Sequence, residues 1–399
     1  MKSIIYTAQR ALIFCFAILL PIAANALDLH AEDRYEDELI KTIDSLSQKQ
    51  LDPALKRIEK LVNENPKFKL AQLIYADLLI AKSQPLTNFG ERANVNEASL
   101  NELRSEAKQR WSHYTSPPNK KLIPASIIKL SDEVKHVVIV DLDHSRLYVF
   151  KNENGTPKLV KDYYATIGKK GAGKNVEGDN KTPIGVYNVT RYIADSKLPD
   201  LYGTGAFPID YPNNWDRRLG KTGHGIWLHG TPTDTYSRPP LSSEGCVALS
   251  NDDFTNLRSF INVQKTPVVI TREIEWLSHE RWFAQQQQHA RLLDDWVKGW
   301  ESLDSNRYLS NYSKEKFRSG NKNYQWWSAH KTKVNAQKTF INVQLNDVSI
   351  FRYPGVENML EFSFQQNYRS SNFNKVSDKR LYWQRDEEQQ WRIIYEGPA

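Results

Sequence analysis

Cysteine is nearly missing from this chain, with 2 among 399 residues. So few exclude a disulfide scaffold and every multi-cysteine zinc or iron–sulfur site. Glycine and proline stand at 18 each, too few for a collagen-like or low-complexity chain. The apolar run at residues 11–24 (ALIFCFAILLPIAA) has only 14 residues, short for a membrane span. The formal charge is +7, yet it is spread along the chain with no dense basic block and no accompanying motif. Nucleic-acid binding is therefore not expected. His136, His144, His279, His289 and His330 show no metal-ligand spacing, so no metal and no cofactor is expected.

What is present is an ordinary globular composition, 40% apolar and 25% charged, in a chain long enough for two or three domains. Trp (11), Tyr (19) and Phe (15) are plentiful, enough for carbohydrate or peptide grooves as well as for cores. Lys2 and Arg10, the apolar run and the small-x-small site Ala24-Asn25-Ala26 together read as a secretory signal peptide over residues 1–26. Removing it takes two basic residues and no acid, so the surplus falls from +7 to about +5. Cys15 leaves with it. The exported chain, expected in the periplasm, keeps one cysteine, Cys246, which has no internal partner and is either an intermolecular linker or a reactive thiol.

The remainder divides into three parts. Residues 27–125 read as a helical module and linker. Ala54, Ile58, Leu61 and Val62, then Leu70, Leu73, Ile74, Ala76 and Leu79, recur at spacings of three and four on either side of Asn65-Pro66. Such a pair of helices suits docking or homodimerisation, and residues 85–125 look like a linker with one short helix. Residues 134–272 change period to strands, at 137–140, 147–150, 158–167, 185–192, 225–229 and 267–271, with a capped helix from Ser250. Residues 280–399 give helix over 281–312, then strands at 342–353, 359–368 and 379–395, the last folded at Asp386-Glu387-Glu388. The fold class expected is multidomain: a helical N-terminal module, a mostly-β domain, and an α+β C-terminal domain resembling the cone-shaped fold of nuclear transport factor two.

Two segments carry chemistry, GHGIWLHGTP (223–232) and SSEGCVALSNDD (242–253). His229 ends a strand and Gly230 turns the chain directly after it. Cys246 follows Gly245 on a turn leading into the capped helix. A thiol attacks well only as thiolate, and an imidazole is the usual means of supplying one. A glycine before it lets a substrate carbonyl approach the backbone, where amides form an oxyanion hole. Trp227 shares a strand face with His229 and suits either the cleft or the core. His224 falls on the opposite face, Ser243 belongs to the turn or to the thiolate's surroundings, and Asp234 reads as a solvated loop acid.

His-Gly, an intervening loop and Ser-x-Gly-Cys-Val resemble the signature of the L,D-transpeptidase (YkuD-type) catalytic domain. EGDNKTPIGVY (177–187) resembles that family's upstream strand motif. The resemblance implies Cys246 as nucleophile, His229 as general base, the Gly230 carbonyl as orienter of the imidazole, and amides of Gly245 and Cys246 as oxyanion donors. An arginine commonly stands two positions after the family's cysteine, where this chain has Ala248. A substrate carboxylate would then need Arg238, Lys221 or Arg217. The substrate class implied is the peptidoglycan stem peptide. Cys246 would attack the diaminopimelate carbonyl of a tetrapeptide and expel D-alanine. An amine from a second stem, or on an envelope protein, completes transpeptidation; water gives L,D-carboxypeptidase activity. Transpeptidation is the commoner family activity and leads. The three-part layout resembles the cell-shape-determining L,D-carboxypeptidases of curved bacteria. The non-enzymatic alternative is a wall-binding protein that keeps the fold as a scaffold.

Overall fold

The computed structural model describes residues 34–84, 88–91 and 96–399. The expected signal peptide and Cys15 lie outside the described residues. The described residues begin with three helices: α1 (Arg34–Ser47), α2 (Leu51–Glu64) and α3 (Lys69–Ala81). The last two meet across the Asn65-Pro66 break. Their apolar stripes close on one cluster of Leu39, Ala54, Ile58, Leu61, Phe68, Leu70 and Ile74. The expected short linker helix is instead a 19-residue helix, α4 (Glu97–Thr115), capped by Asn96 accepting from the Ser99 N–H. Its buried residues are Leu100, Glu106 and Arg110, two of them charged, so it docks through ion pairs more than through an apolar stripe.

The central domain is built on a five-stranded sheet in the order Thr156–Tyr164, Arg146–Glu153, His136–Asp141, Pro267–Thr271, Gly185–Asn188. His136–Asp141 and Pro267–Thr271 are parallel, Val138 opposite Val268 and Val140 opposite Ile270. Residues 137–140 are an unbroken apolar run because both sheet faces are covered. Val138, Val140, Val268 and Ile270 point into the central-domain core with Phe207, Leu228, Val247, Leu249 and Phe254. Val137, Ile139, Phe150 and Val269 point the other way, onto Phe351, Tyr353, Tyr382 and Ile394 of the C-terminal sheet.

That C-terminal sheet has seven strands, dominated by Ile341–Arg352, Met359–Ser370, Asn374–Arg385 and Trp391–Pro398. Its far face holds Ile350, Phe362, Phe364 and Trp383 against Trp296, Trp300, Tyr308 and Trp327 from three helices. The helix expected over 281–312 is broken into His279–Glu301 and Ser305–Leu309. The helix Tyr324–Asn335 adds to the expected set. One strand comes from outside: Ile127–Lys129, ahead of the central domain, pairs with the edge of Ile341–Arg352. Trp282 Nε1 donates to the Ile127 carbonyl at 2.6 Å and fixes that edge.

Candidate active site

A second, four-stranded sheet in the central domain places the chemistry. Trp227–His229 runs parallel to Val247–Ala248, with Leu228 opposite Val247 and His229 opposite Ala248. Leu228 and Val247 are fully buried on the core side. Strand alternation therefore turns Trp227, His229 and Cys246 to the opposite face together. Gly205–Pro208 flanks the other side, with His229 opposite Ala206. The helix Asn251–Arg258 follows at once, its Ser250 cap accepting from the Asp253 N–H at 3.1 Å.

His229 is buried and its Nδ1 hydrogen-bonds the Gly230 carbonyl at 2.6 Å. A proton on Nδ1 leaves Nε2 as the lone-pair nitrogen, the form a base needs. Burial pushes the imidazole down to about 4, the Gly230 hydrogen bond opposes this, and Arg238's charge adds to the fall. Cys246 is partly exposed, and its Sγ donates to the Gly225 carbonyl at 3.3 Å. Burial pushes the thiol up to about 11; the Trp227 amide, Lys174 and Arg238 draw it down and Glu244 raises it. At neutral pH the pair is thus a thiol and a neutral imidazole. The arrangement supports attack with the proton leaving sulfur as the bond forms, not a standing thiolate–imidazolium pair.

Gly245 has φ of +126°, and a Cβ there would sit 2.8 Å from the Lys181 carbonyl oxygen. Only glycine fits. Ser243 organises this turn: it accepts from the Gly245 N–H at 3.1 Å and donates to the Cys246 carbonyl at 2.6 Å. The Gly245 amide is therefore engaged by Ser243, and an oxyanion role requires it to leave that hydroxyl. Ser243 takes the turn role, and its hydroxyl is spent on backbone. Trp227 is half-buried and packs against Tyr202 at 4.7 Å between ring centroids; Tyr202 also meets His229 edge-on at 5.1 Å. His224 and Asp234 are exposed loop residues.

Of the three cations expected to replace the family arginine, two stand elsewhere. Lys221 pairs with buried Asp216 at 2.8 Å, because an acid at full burial demands a counter-charge. Arg217 is held by the Pro212 carbonyl and Asn214. Arg238 remains: Nη2 donates to the Ser242 carbonyl at 2.6 Å, and its charge acts on both the thiol and the imidazole.

Three contributors carry no sequence signal. Tyr202 sits on a short 3-10 turn ending at Gly203. Asn251 staples the chain after His229, its Oδ1 accepting from Thr204 and Thr231 N–H groups and its Nδ2 donating to the Thr231 carbonyl at 2.8 Å. Lys174 is buried beside the site, bonded to Asp179 at 2.8 Å. Thr182, in the 177–187 motif, is fully buried and accepts from the Gly168 N–H at 2.9 Å, so this motif shapes the floor.

The fold and site define an L,D-transpeptidase-type domain joined to a nuclear-transport-factor-two-like sheet. Residues 135–270 match the L,D-transpeptidase catalytic domain (YkuD), and residues 289–397 match the Cds6 C-terminal NTF2-like domain. The structure of Bd1075 from Bdellovibrio bacteriovorus is similar at 30% identity, covering 70% of this chain and 98% of that one, with a TM-score of 0.62. The helical cell shape determining protein Pgp2 from Campylobacter jejuni is similar at 27% identity, covering 68% and 95%, with a TM-score of 0.58. No curated protein sequence matches significantly. The chain belongs to the peptidoglycan-processing YkuD L,D-transpeptidase/carboxypeptidase family, in the branch that carries a C-terminal NTF2-like domain.

Proposed function

We propose that this protein is an exported enzyme that trims tetrapeptide stems of peptidoglycan to tripeptides, an L,D-carboxypeptidase of cell-shape control. Cys246 Sγ attacks the carbonyl joining diaminopimelate to the terminal D-alanine while His229 takes the thiol proton. The tetrahedral intermediate collapses, the C–N bond breaks, and D-alanine leaves with that proton. Water, deprotonated by His229, then attacks the thioester and frees the thiol. Periplasmic placement is supported by the signal-peptide pattern in residues 1–26.

The observation that carries the reading is the layout: Bd1075 and Pgp2 share the joining of a YkuD domain to a C-terminal NTF2-like domain, and the match spans 98% of Bd1075 and 95% of Pgp2. Water is favoured as the acceptor through the resemblance of this layout to the cell-shape-determining L,D-carboxypeptidases. Transpeptidation, with a stem or envelope-protein amine as acceptor, remains the second reading, favoured by the L,D-transpeptidase match over residues 135–270. Mass spectrometry of disaccharide-tetrapeptide incubated with residues 27–399, beside Cys246→Ala, separates them. Tripeptide formed by the unmutated protein alone supports the proposal. A dimer linked through two diaminopimelates supports the second reading, and absence of both products sinks the two together.

A further inference from the structure

The loop between base and nucleophile, residues 230–245, does not hang free over the site. Tyr236 leaves the central domain and is 8% exposed, inside the core of the N-terminal helices. Its ring lies 4.5 Å from Phe68 and meets Tyr35 edge-on at 5.7 Å. The backbone is held from the same side, Lys67 Nζ donating to the Thr233 carbonyl at 2.6 Å. Ser237 Oγ donates to Glu106 of α4 at 2.6 Å. Leu241, the loop's other large apolar side chain, is half exposed, so Tyr236 is the loop's buried apolar anchor.

A second route reaches the same place. Arg110 of α4 lies 3.9 Å over the Tyr164 ring, and the Tyr164 hydroxyl donates to the Arg238 carbonyl at 3.0 Å. Thr166 Oγ1 donates to that carbonyl at 3.0 Å as well. Both routes end on one residue, two positions past Tyr236, whose guanidinium acts on the thiol and the imidazole. Loops that carry reacting groups are mobile unless their flanks are tied to a rigid scaffold. Here part of that scaffold is a different module, with Tyr164 and Thr166 of the central domain between it and Arg238.

We propose that the N-terminal helical module is a working part of the reaction centre, gripping the loop through Tyr236 and so holding the Arg238 guanidinium beside Cys246, where it receives the substrate's carboxylate. Tyr236 is a positioning residue and acts through Arg238. The carboxylate-binding half of this inference rests on the proposed function; the positioning half does not. The charged and titratable groups around the thiol are Glu244 on its own turn, His229 on the neighbouring strand, Lys174 from the 169–182 loop, Tyr202 from the facing turn, and Arg238. Arg238 is the member of this set whose place depends on the helices.

The test compares Tyr236→Ala, Tyr236→Phe, Arg238→Gln and the double variant Tyr236→Ala/Arg238→Gln in the chain 27–399. One readout is the rate of Cys246 alkylation by iodoacetamide against pH, which needs no substrate. Losing the cation should raise the apparent thiol pKa by about half a unit in Tyr236→Ala and in Arg238→Gln. The double variant should rise no further, and Tyr236→Phe should match the unmutated protein. With tetrapeptide, KM should rise roughly tenfold in both single alanine and glutamine variants, with kcat changed far less. Should Tyr236→Ala fail to fold, Tyr236→Leu keeps most of the buried volume, removes the ring contact with Phe68 and carries the same comparison. A lower melting temperature with an unmoved thiol pKa and KM would reduce Tyr236 to packing, and strictly additive effects of the two substitutions would sever it from Arg238. Failure of the unmutated protein on tetrapeptide would strike the proposed function, while the alkylation comparison would still decide the positioning.

Discussion

His229 ends one strand and Cys246 immediately precedes its parallel neighbour Val247–Ala248, a diagonal step apart, because Leu228 is registered against Val247. The sulfur's hydrogen bond goes to the Gly225 carbonyl and the imidazole's to the Gly230 carbonyl. Each group is thus oriented by backbone, and burial keeps each neutral. A preformed ion pair would cost the desolvation of two charges at a partly apolar site. Orientation by carbonyls avoids that cost and leaves proton transfer to the moment of attack.

A pH dependence follows with a definite sign. Under the proposed function His229 is the base and works only when deprotonated, so activity should be lost as pH falls through about 4, the position to which burial pushes it. The thiol, near 11, sets no limb in the neutral range. Iodoacetamide alkylation should therefore climb about tenfold per pH unit between pH 6 and 9, as the thiolate fraction does. A plateau in alkylation beginning near pH 6 would show a standing thiolate and overturn the neutral-pair reading.

Gly245→Ala should cripple the site without removing a reactive atom. The added Cβ meets the Lys181 carbonyl oxygen at 2.8 Å on a backbone with φ of +126°, so the nucleophile turn must shift. Strain at such a position costs on the order of 1–3 kcal/mol, and a displacement near 1 Å costs about a hundredfold in rate. Steady-state turnover beside thermal melting checks this; unchanged turnover would mean the turn has slack the geometry does not show.

Much of this was legible in the residues, for identifiable reasons. His229 and Cys246 announce themselves through their glycines, since Gly230 and Gly245 mark places where the backbone has no room for a side chain. The 137–140 and 267–271 strands announce themselves as apolar runs covered on both faces. The length of α4 does not show in the sequence because two of its three buried residues, Glu106 and Arg110, are charged, and hydrophobic periodicity does not reveal a helix docked by charge. Ile127–Lys129 is three residues long, and its partner lies more than 200 positions away, so no local pattern reveals it. Tyr202 acts from a short 3-10 turn, Tyr236 from a loop and Asn251 from the first position of a helix, and the role of each depends on what it touches across the fold. Arg238 was singled out among three cations only as a candidate; the ion pair of Lys221 with Asp216 is a tertiary fact.

The charge cluster that docks the helices makes its own prediction. Arg110 pairs with Glu36 at 2.9 Å and Glu106 at 3.0 Å, and Arg146 joins Glu36 at 2.9 Å to Asp162 at 2.5 Å. Arg110→Ala leaves the carboxylate of Glu106 buried without its partner, which costs about 3–5 kcal/mol. Chemical denaturation should report that loss, together with faster proteolysis within residues 34–115. Acid should act in the same direction at Glu36, whose carboxyl the two arginines hold below its usual range. A depressed folded value gives stability that is present above the unfolded value, about 4.3, and lost as pH falls through the folded one. Equal proteolysis of Arg110→Ala and the unmutated chain would place the docking energy elsewhere.

The catalytic and C-terminal sheets share a hydrophobic layer, and this decides how the molecule should unfold. Phe351 is 2% exposed, and it packs in one cluster with Val137, Ile139 and Val269 from the facing sheet. Neither face could be uncovered without wetting that layer, and the Ile127–Lys129 strand, which leads into the central domain, is hydrogen-bonded to the edge of the C-terminal sheet at Ile341–Arg352. The two domains should therefore melt in one cooperative transition. Phe351→Ala should cost about 3–5 kcal/mol and lower the whole transition. Differential scanning calorimetry of the two proteins is the check. Two resolved transitions, with only the C-terminal one moving in Phe351→Ala, would mean that the layer is contact without coupling and that the C-terminal domain is a separable attachment to the enzyme.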